Sequence, residues 1–242
     1  MVVKILAFQG SPRMEKGNTE KILSAFLEGA REAGAETETL YLRRMNINPC
    51  QGCFSCWFQT PGECVQKDDM KEVLEKILEA DVLVWATPLY IYNMTAYMKA
   101  MFERILPLIK PDIIQGKDGI ASHPPRYRMK RQRWILISNA GFPEQEHFEP
   151  LLHVFDRISR LWTGGEGFAL TILKGAGEML RLSELFGEDK AFEPFFRAVR
   201  DAGREFVEKG TVSKETKARV DKPLWEYAPE LAYATMESFK SR

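Results

Sequence analysis

The sequence predicts an α/β domain: one parallel sheet of five strands in the order 2-1-3-4-5, with helices on both faces. Three observations point there. Short β-rich runs alternate with amphipathic helical stretches along most of the 242 residues. One run, Val82 to Ala86, is continuously apolar, as a central parallel strand covered on both faces must be. Hydroxyl, amide, tyrosine and cysteine side chains gather in the segments that follow the strands, the edge on which open parallel sheets bind ligands.

The first strand fits Val3 to Phe8, which runs into a Gly-containing loop. Asn18 is placed to cap the next helix, whose apolar positions Ile22, Leu23, Phe26, Leu27 and Ala30 recur at helical spacing. Gly34 stops that helix, and Thr37 to Leu42 fits the second strand. Beyond a cysteine loop, Met70, Val73, Leu74, Ile77 and Leu78 mark a second helix, with Asp69 and Glu72 at capping-box spacing. After the central strand, Met98, Met101, Phe102, Ile105 and Ile109 give a third helix, and Trp134 to Ile137 a fourth strand. Phe148 to Leu161 and Phe168 to Leu173 supply the fourth helix and fifth strand, and one more helix leads toward residue 209. Five strands with right-handed crossovers suit the flavodoxin-like order better than a six-stranded dinucleotide domain. Residues 1–209 form one domain on this reading, with 111–133 as a long loop. Residues 210–242 are a C-terminal helical extension packed on the domain or on a partner subunit, because Trp225 and Tyr227 would otherwise be exposed.

Composition narrows the partners. With 34 basic and 34 acidic residues the formal net charge is zero, which argues against nucleic acid or an acidic membrane surface. No stretch is apolar for long enough to span a bilayer, and the N-terminus shows no secretion-signal pattern. All four cysteines fall between positions 50 and 64. A secreted disulfide framework would spread them, so a cytoplasmic metal, cluster or redox role is expected.

The loop "GSPRMEKGNT" after the first strand offers Ser11, Arg13, Asn18 and Thr19 just before a helix N-terminus. Unpaired amides and the positive end of the helix dipole favour an anion there. A P-loop lysine is missing, so a terminal monophosphate is expected rather than a cleaved triphosphate. The loop "TPLYIYNM" ends its strand with Pro88 and Leu89. It then presents Tyr90 and Tyr92 to a planar ring, with Asn93 and backbone amides for the ring's polar edge. In "SNAGFPEQEHF", Asn139 and Gly141 allow a ligand close to the backbone, and Phe142 adds an aromatic wall.

Together, "GSPRMEKGNT", "CQGCFSCW…GEC…DDM" and "TPLYIYNMTAYMKAMFER" resemble the NAD(P)H-dependent FMN reductase superfamily of flavodoxin-like proteins, and within it the iron–sulfur flavoprotein branch. The resemblance covers residues 1 to about 175. It implies an FMN oxidoreductase that uses NAD(P)H as co-substrate and assembles as a homodimer or homotetramer. A small-molecule redox substrate or an electron-carrier protein would take the electrons; an electron-transfer flavoprotein without NAD(P)H turnover is the alternative. Carried over by motif, Ser11, Arg13, Asn18 and Thr19 hold the phosphate. Pro88, Leu89, Tyr90, Tyr92 and Asn93 line the isoalloxazine, joined by Asn139, Gly141 and Phe142. No catalytic acid or base is implied, because the flavin carries the redox chemistry.

Cys50, Cys53, Cys56 and Cys64 are spaced C-x2-C-x2-C-x7-C. The compact run suits a cubane cluster, since thiolates three residues apart can wrap one inorganic core. The resemblance implies a [4Fe–4S] cluster beside the flavin, although this branch commonly has a shorter last gap. Zinc and unligated thiols stay open on spacing alone. His123, His147 and His153 are scattered and read as structural or solvated. The run "RYRMKRQR" reads as a solvated basic loop, or more sharply as an attractor for the phosphate of NADPH.

Overall fold

The computed structural model describes residues 2–116, 119–128, 130–163, 167–187 and 189–230. Its central sheet comprises β1 (Lys4–Gln9), β2 (Glu36–Tyr41), β3 (Val82–Pro88), β6 (Arg133–Asn139) and β7 (Phe168–Lys174), with β4 (Ile114–Gln115) and β5 (Ala121–Ser122) forming a separate hairpin. The order is β2-β1-β3-β6-β7, every pair parallel, which is the expected 2-1-3-4-5. All seven residues of β3 are buried, as a strand between two helical layers requires.

Alternate residues of each strand feed two cores. On one face Ile5, Ala7, Val82, Val84, Ile135 and Ile137 meet α1 (Asn18–Glu32), α6 (Met179–Phe186), α7 (Glu193–Lys209) and α8 (Lys214–Asp221). On the other, Leu6, Phe8, Leu83, Trp85, Trp134 and Leu136 meet α3 (Met70–Glu79), α4 (Ala96–Glu103) and α5 (Glu149–Thr163). Trp85 centres this second core, its ring 4.5 Å from Phe8 and from Phe102 and 4.8 Å from Trp134. On the first face α7 lies on α1 at backbone contact. A Cβ on Gly29 would stand 1.8 Å from the Arg200 carbonyl oxygen, and one on Gly203 2.0 Å from that of Phe26.

Several local expectations are corrected. The N-cap of α1 is Gly17, and Asn18 is the first helical residue, its side chain turned elsewhere. No capping box forms at α3: Asp69 is in helical geometry and accepts from the Asn46 N–H instead. The third predicted helix stops at Glu103, and a 3-10 turn at Leu106–Leu108 follows because Pro107 cannot continue the α-helical ladder. The loop at 111–133 carries the small β4–β5 hairpin; its residues 117, 118 and 129 lie outside the described residues.

The basic run is exposed at Tyr127, Arg128, Lys130 and Arg131, as a solvated loop should be, but it is also anchored. Arg126 turns inward to the carbonyls of Pro107, Ile109 and Cys56, Lys130 pairs with Asp81, and Arg133 reaches the Gly210 carbonyl. Trp225 and Tyr227 are half-buried against this chain's own α1–α7 core, and the Tyr227 hydroxyl donates to the Arg219 carbonyl. The last stretch, 231–242, lies outside the described residues. None of the described helices is long and apolar enough to cross a membrane.

Candidate functional site

Four loops follow the strands on this edge, the first after β1, the second (the cysteine loop) after β2, the third after β3 and the fourth after β6, and the first, third and fourth are tied together. The Gly10 N–H donates to the Ala86 carbonyl at 2.7 Å, and the Thr95 hydroxyl returns a bond to the Gly10 carbonyl at 2.7 Å. Asn139 is the hub for the rest. Its side-chain oxygen accepts from the Thr19 hydroxyl at 2.5 Å, and its backbone oxygen accepts from the Leu89 N–H at 2.8 Å. Thr19 and Asn139 are both buried, so they position the loops rather than offering free groups to a ligand.

The first loop is braced from below. Gln9 donates to Glu20 at 2.8 Å and accepts from the Ser11 N–H at 2.7 Å. The other oxygen of Glu20 accepts from Ser24 and from the Tyr41 hydroxyl. Burial, then the adjacent Glu20 carboxylate, pushes the Tyr41 pKa up to about 12, so this phenol stays protonated. Ser11 Oγ accepts from the Arg13 N–H at 3.2 Å, and Gly17 packs so close that a Cβ there would lie 2.7 Å from Ser11 Oγ. The turn therefore wraps around Ser11 and delivers the Asn18 and Thr19 amides, the first two of α1, to the edge, whereas the Glu20 amide is spent on the Gly17 carbonyl. Arg13 is exposed beside them. Buried Asn18 donates through Nδ2 to Glu178 at 3.2 Å, while its Oδ1 has no partner among the described residues.

In the third loop Tyr90 and Asn93 exchange two backbone hydrogen bonds of 2.9 and 3.0 Å around Ile91 and Tyr92. Both central residues have positive φ, 47° and 59°, in a turn that ordinarily takes Asn-Gly. Strain of this kind costs on the order of 1–3 kcal/mol per residue and gathers at ligand clamps. Tyr90, Ile91 and Tyr92 are all exposed, and the Asn93 side-chain oxygen is used locally by the Met94 N–H. The ring of His147 lies between the third and fourth loops, its centroid 5.8 Å from Tyr92 and 5.1 Å from Phe142. Gly141 is open to solvent, with nothing to obstruct approach.

These residues suit FMN. The Asn18 and Thr19 amides and Arg13 stand at the phosphate end, and the exposed rings of Tyr90, Tyr92 and Phe142 at the other. A cavity of about 270 Å³ opens at the opposite, amino-terminal edge of β1 and β2. Both of its lysines are already paired, Lys4 with Glu79 and Lys76 with Glu38, and it lies away from the edge where such sheets bind ligands.

The cysteine loop is closed at its base by a buried cluster. Arg104, at the end of α4, makes two bonds to the Asp68 carboxylate at 2.7 and 2.9 Å and one to the Asn48 carbonyl at 2.7 Å. Both charged side chains are essentially inaccessible. Burial opposes the Asp68 charge, but Arg104 and the amides of Asn48 and Met70 outweigh it and hold its pKa below the ordinary carboxylate range. Arg104 also faces Cys64. Trp57 donates to the Leu106 carbonyl and packs on Phe54 and His123.

The four thiols differ in environment. Cys53 is exposed and held below the ordinary thiol range by hydrogen bonds from Ser55. Cys56, on the short helix α2 (Ser55–Phe58), is buried, and burial followed by Cys64, Cys53 and Cys50 pushes it up. An N–H from Gly52 points at Cys50 Sγ. Among the described residues no three His, Cys, Asp or Glu side chains converge as a single metal ion requires.

Sequence reasoning missed Glu178, Thr95 and Arg104. Thr95 and Arg104 stand inside the quoted third motif, and Glu178 follows the fifth strand, whose loop belongs to the same binding edge.

This sheet order and ligand edge define a flavodoxin-like α/β protein. Residues 3–121 match the model of the NADPH-dependent FMN reductase family, in agreement with the resemblance of the motifs. It is 38% identical over 117 residues to an iron–sulfur flavoprotein of Archaeoglobus fulgidus, covering 48% of this chain and 52% of the relative. It is 39% identical over 120 residues to one of Methanosarcina thermophila, covering 49% and 61%. The chain thus matches a little over half the length of these curated relatives. Its fold is shared with an FMN-dependent NADH-azoreductase of Bacillus anthracis, solved with FMN: TM-score 0.60, 15% identity, 85% of this chain and all of the other.

Proposed function

We propose that the chain is an FMN-dependent oxidoreductase that takes electrons from NAD(P)H and passes them to a small molecule or a carrier protein. The observation that carries this is the joining of three carboxyl-end loops through Asn139, with an anion grip on one side and exposed aromatic faces on the other. When bound, FMN supplies the hydride and single-electron chemistry. Ser11, Arg13 and Asn18 fix its phosphate, and Thr19 holds the fourth loop in register through Asn139. Tyr90, Tyr92 and Phe142 shelter the ring from water, while the backbone at Ile91 and Tyr92 faces the ring's polar edge.

Cys50, Cys53, Cys56 and Cys64 would hold a [4Fe–4S] cluster. Four thiols on one loop, a backbone N–H on sulfur and a buried guanidinium at Cys64 suit an anionic thiolate-bound core. The relatives' names, iron–sulfur flavoproteins, support the same assignment. This usage of cysteine belongs to a reducing, cytoplasmic setting. A homodimer or homotetramer would cover the exposed Ile91 and Phe142 at the rim.

The test is anaerobic mixing of the FMN-loaded protein with NADPH or NADH. Rapid bleaching of the flavin bands is expected, and a flavin that neither nucleotide reduces would contradict the reductase reading. Cys53 and Phe58 are exposed on the cysteine loop, where a protein partner could reach them, which favours the second reading of an electron-transfer flavoprotein. That reading predicts slow reduction by nucleotides and fast reduction by a reduced carrier.

A further inference from the structure

Glu178 stands on the donors that the phosphate reading assigns to FMN. Its Oε2 accepts from Asn18 Nδ2 at 3.2 Å and lies 3.6 Å from the Arg13 guanidinium. Its other oxygen pairs with Arg181, one turn on in α6. The placement is built by close packing. A Cβ on Gly175 would lie 2.3 Å from the Pro143 carbonyl oxygen, and one on Gly177 2.8 Å from Asn139 Nδ2. These two glycines bring the loop after β7 down onto the Asn139 hub, which carries Glu178 to the first loop.

We infer that Glu178 is a specificity-determining residue of the phosphate grip: an internal carboxylate that competes with the flavin's phosphate for Arg13 and Asn18. Two anions cannot share these donors without repulsion. Phosphate binding therefore requires Glu178 to leave Arg13 and Asn18 and rest on Arg181 alone. The competition weakens the grip on phosphorylated flavin and leaves a flavin without phosphate untouched. Cofactor retention is thus set below what the Ser11–Arg13–Asn18 loop alone would give, and bound FMN exchanges with the free pool.

This rests on the FMN reading, and the test separates the two. FMN and riboflavin are titrated by flavin-fluorescence quenching into flavin-free wild type, Glu178→Gln and Glu184→Gln. The last removes a carboxylate from the same helix that pairs with Lys21 instead. Glu178→Gln should bind FMN about fivefold tighter, with riboflavin unchanged and Glu184→Gln like wild type. Equal FMN affinity in Glu178→Gln and wild type, with intact melting temperatures, would overturn the competition while leaving FMN binding in place. Tightening that extends equally to riboflavin, or to Glu184→Gln, would also overturn it. Failure of every variant to bind FMN would overturn both the competition and the cofactor assignment.

Discussion

At the scale of single residues, the site separates groups that touch a ligand from groups that hold the edge together. Arg13 belongs to the first kind, and Arg13→Gln should weaken FMN binding by about tenfold, the worth of a charge-assisted contact. Riboflavin binding should be unaffected, which a fluorescence titration reads directly. Thr19 belongs to the second. Thr19→Val removes the donor that the buried Asn139 oxygen accepts, and chemical denaturation should show a loss of about 1–3 kcal/mol. Lys174 is a buried lysine at the end of β7, bonded to the Val220 and Lys222 carbonyls and lying over Phe195. Burial lowers its pKa to about 8, so the folded state gives up this proton before the unfolded chain does. Its contribution is therefore fully present above the unfolded value near 10.5 and is lost as pH falls through about 8. Wild type minus Lys174→Met stability, measured by denaturation across that window, should rise with pH.

At the scale of elements, α4 links the two chemistries. Its N-cap Thr95 bonds the phosphate loop, and Arg104 just past its C-terminus closes the cysteine loop. Arg104→Met would leave Asp68 buried without its cation, a loss of about 3–5 kcal/mol. Thiol labelling should then accelerate across residues 50–64 even in metal-free protein. Unchanged labelling would show that the loop holds itself without Arg104. The turn at Ile91 and Tyr92 makes the opposite kind of claim. Ile91→Gly should stabilise the fold by about 1 kcal/mol, because glycine takes positive φ without strain.

For the whole molecule, the strands and the first two helices were legible because burial periodicity and loop chemistry agree there. The continuous apolar run of β3 and the 3.6-residue spacing of α1 leave one reading each. What failed was decided by contacts remote in sequence. Asn18 and Asp69 look like caps, but Glu178 and Asn46 claim their side chains. The basic run is largely solvated as read, but the inward turn of Arg126 was hidden because its acceptors are backbone carbonyls, which no side-chain pattern reveals. For Trp225 and Tyr227 the sequence left open the domain or a partner subunit, and the structure packs both on this chain's own α1–α7 core, whose helices are far apart in sequence. The phosphate loop was readable for the converse reason: its hydroxyl, amide and charged groups are contiguous.

The central claim is that one sheet edge holds FMN, with the cysteine loop serving the same flavin. The absorption spectrum of anaerobically purified protein, read with its iron content, tests it most directly. Flavin bands over a broad cluster absorbance, with about four irons per chain, are the expected result. A colourless, iron-free protein that takes up no added FMN would contradict the account.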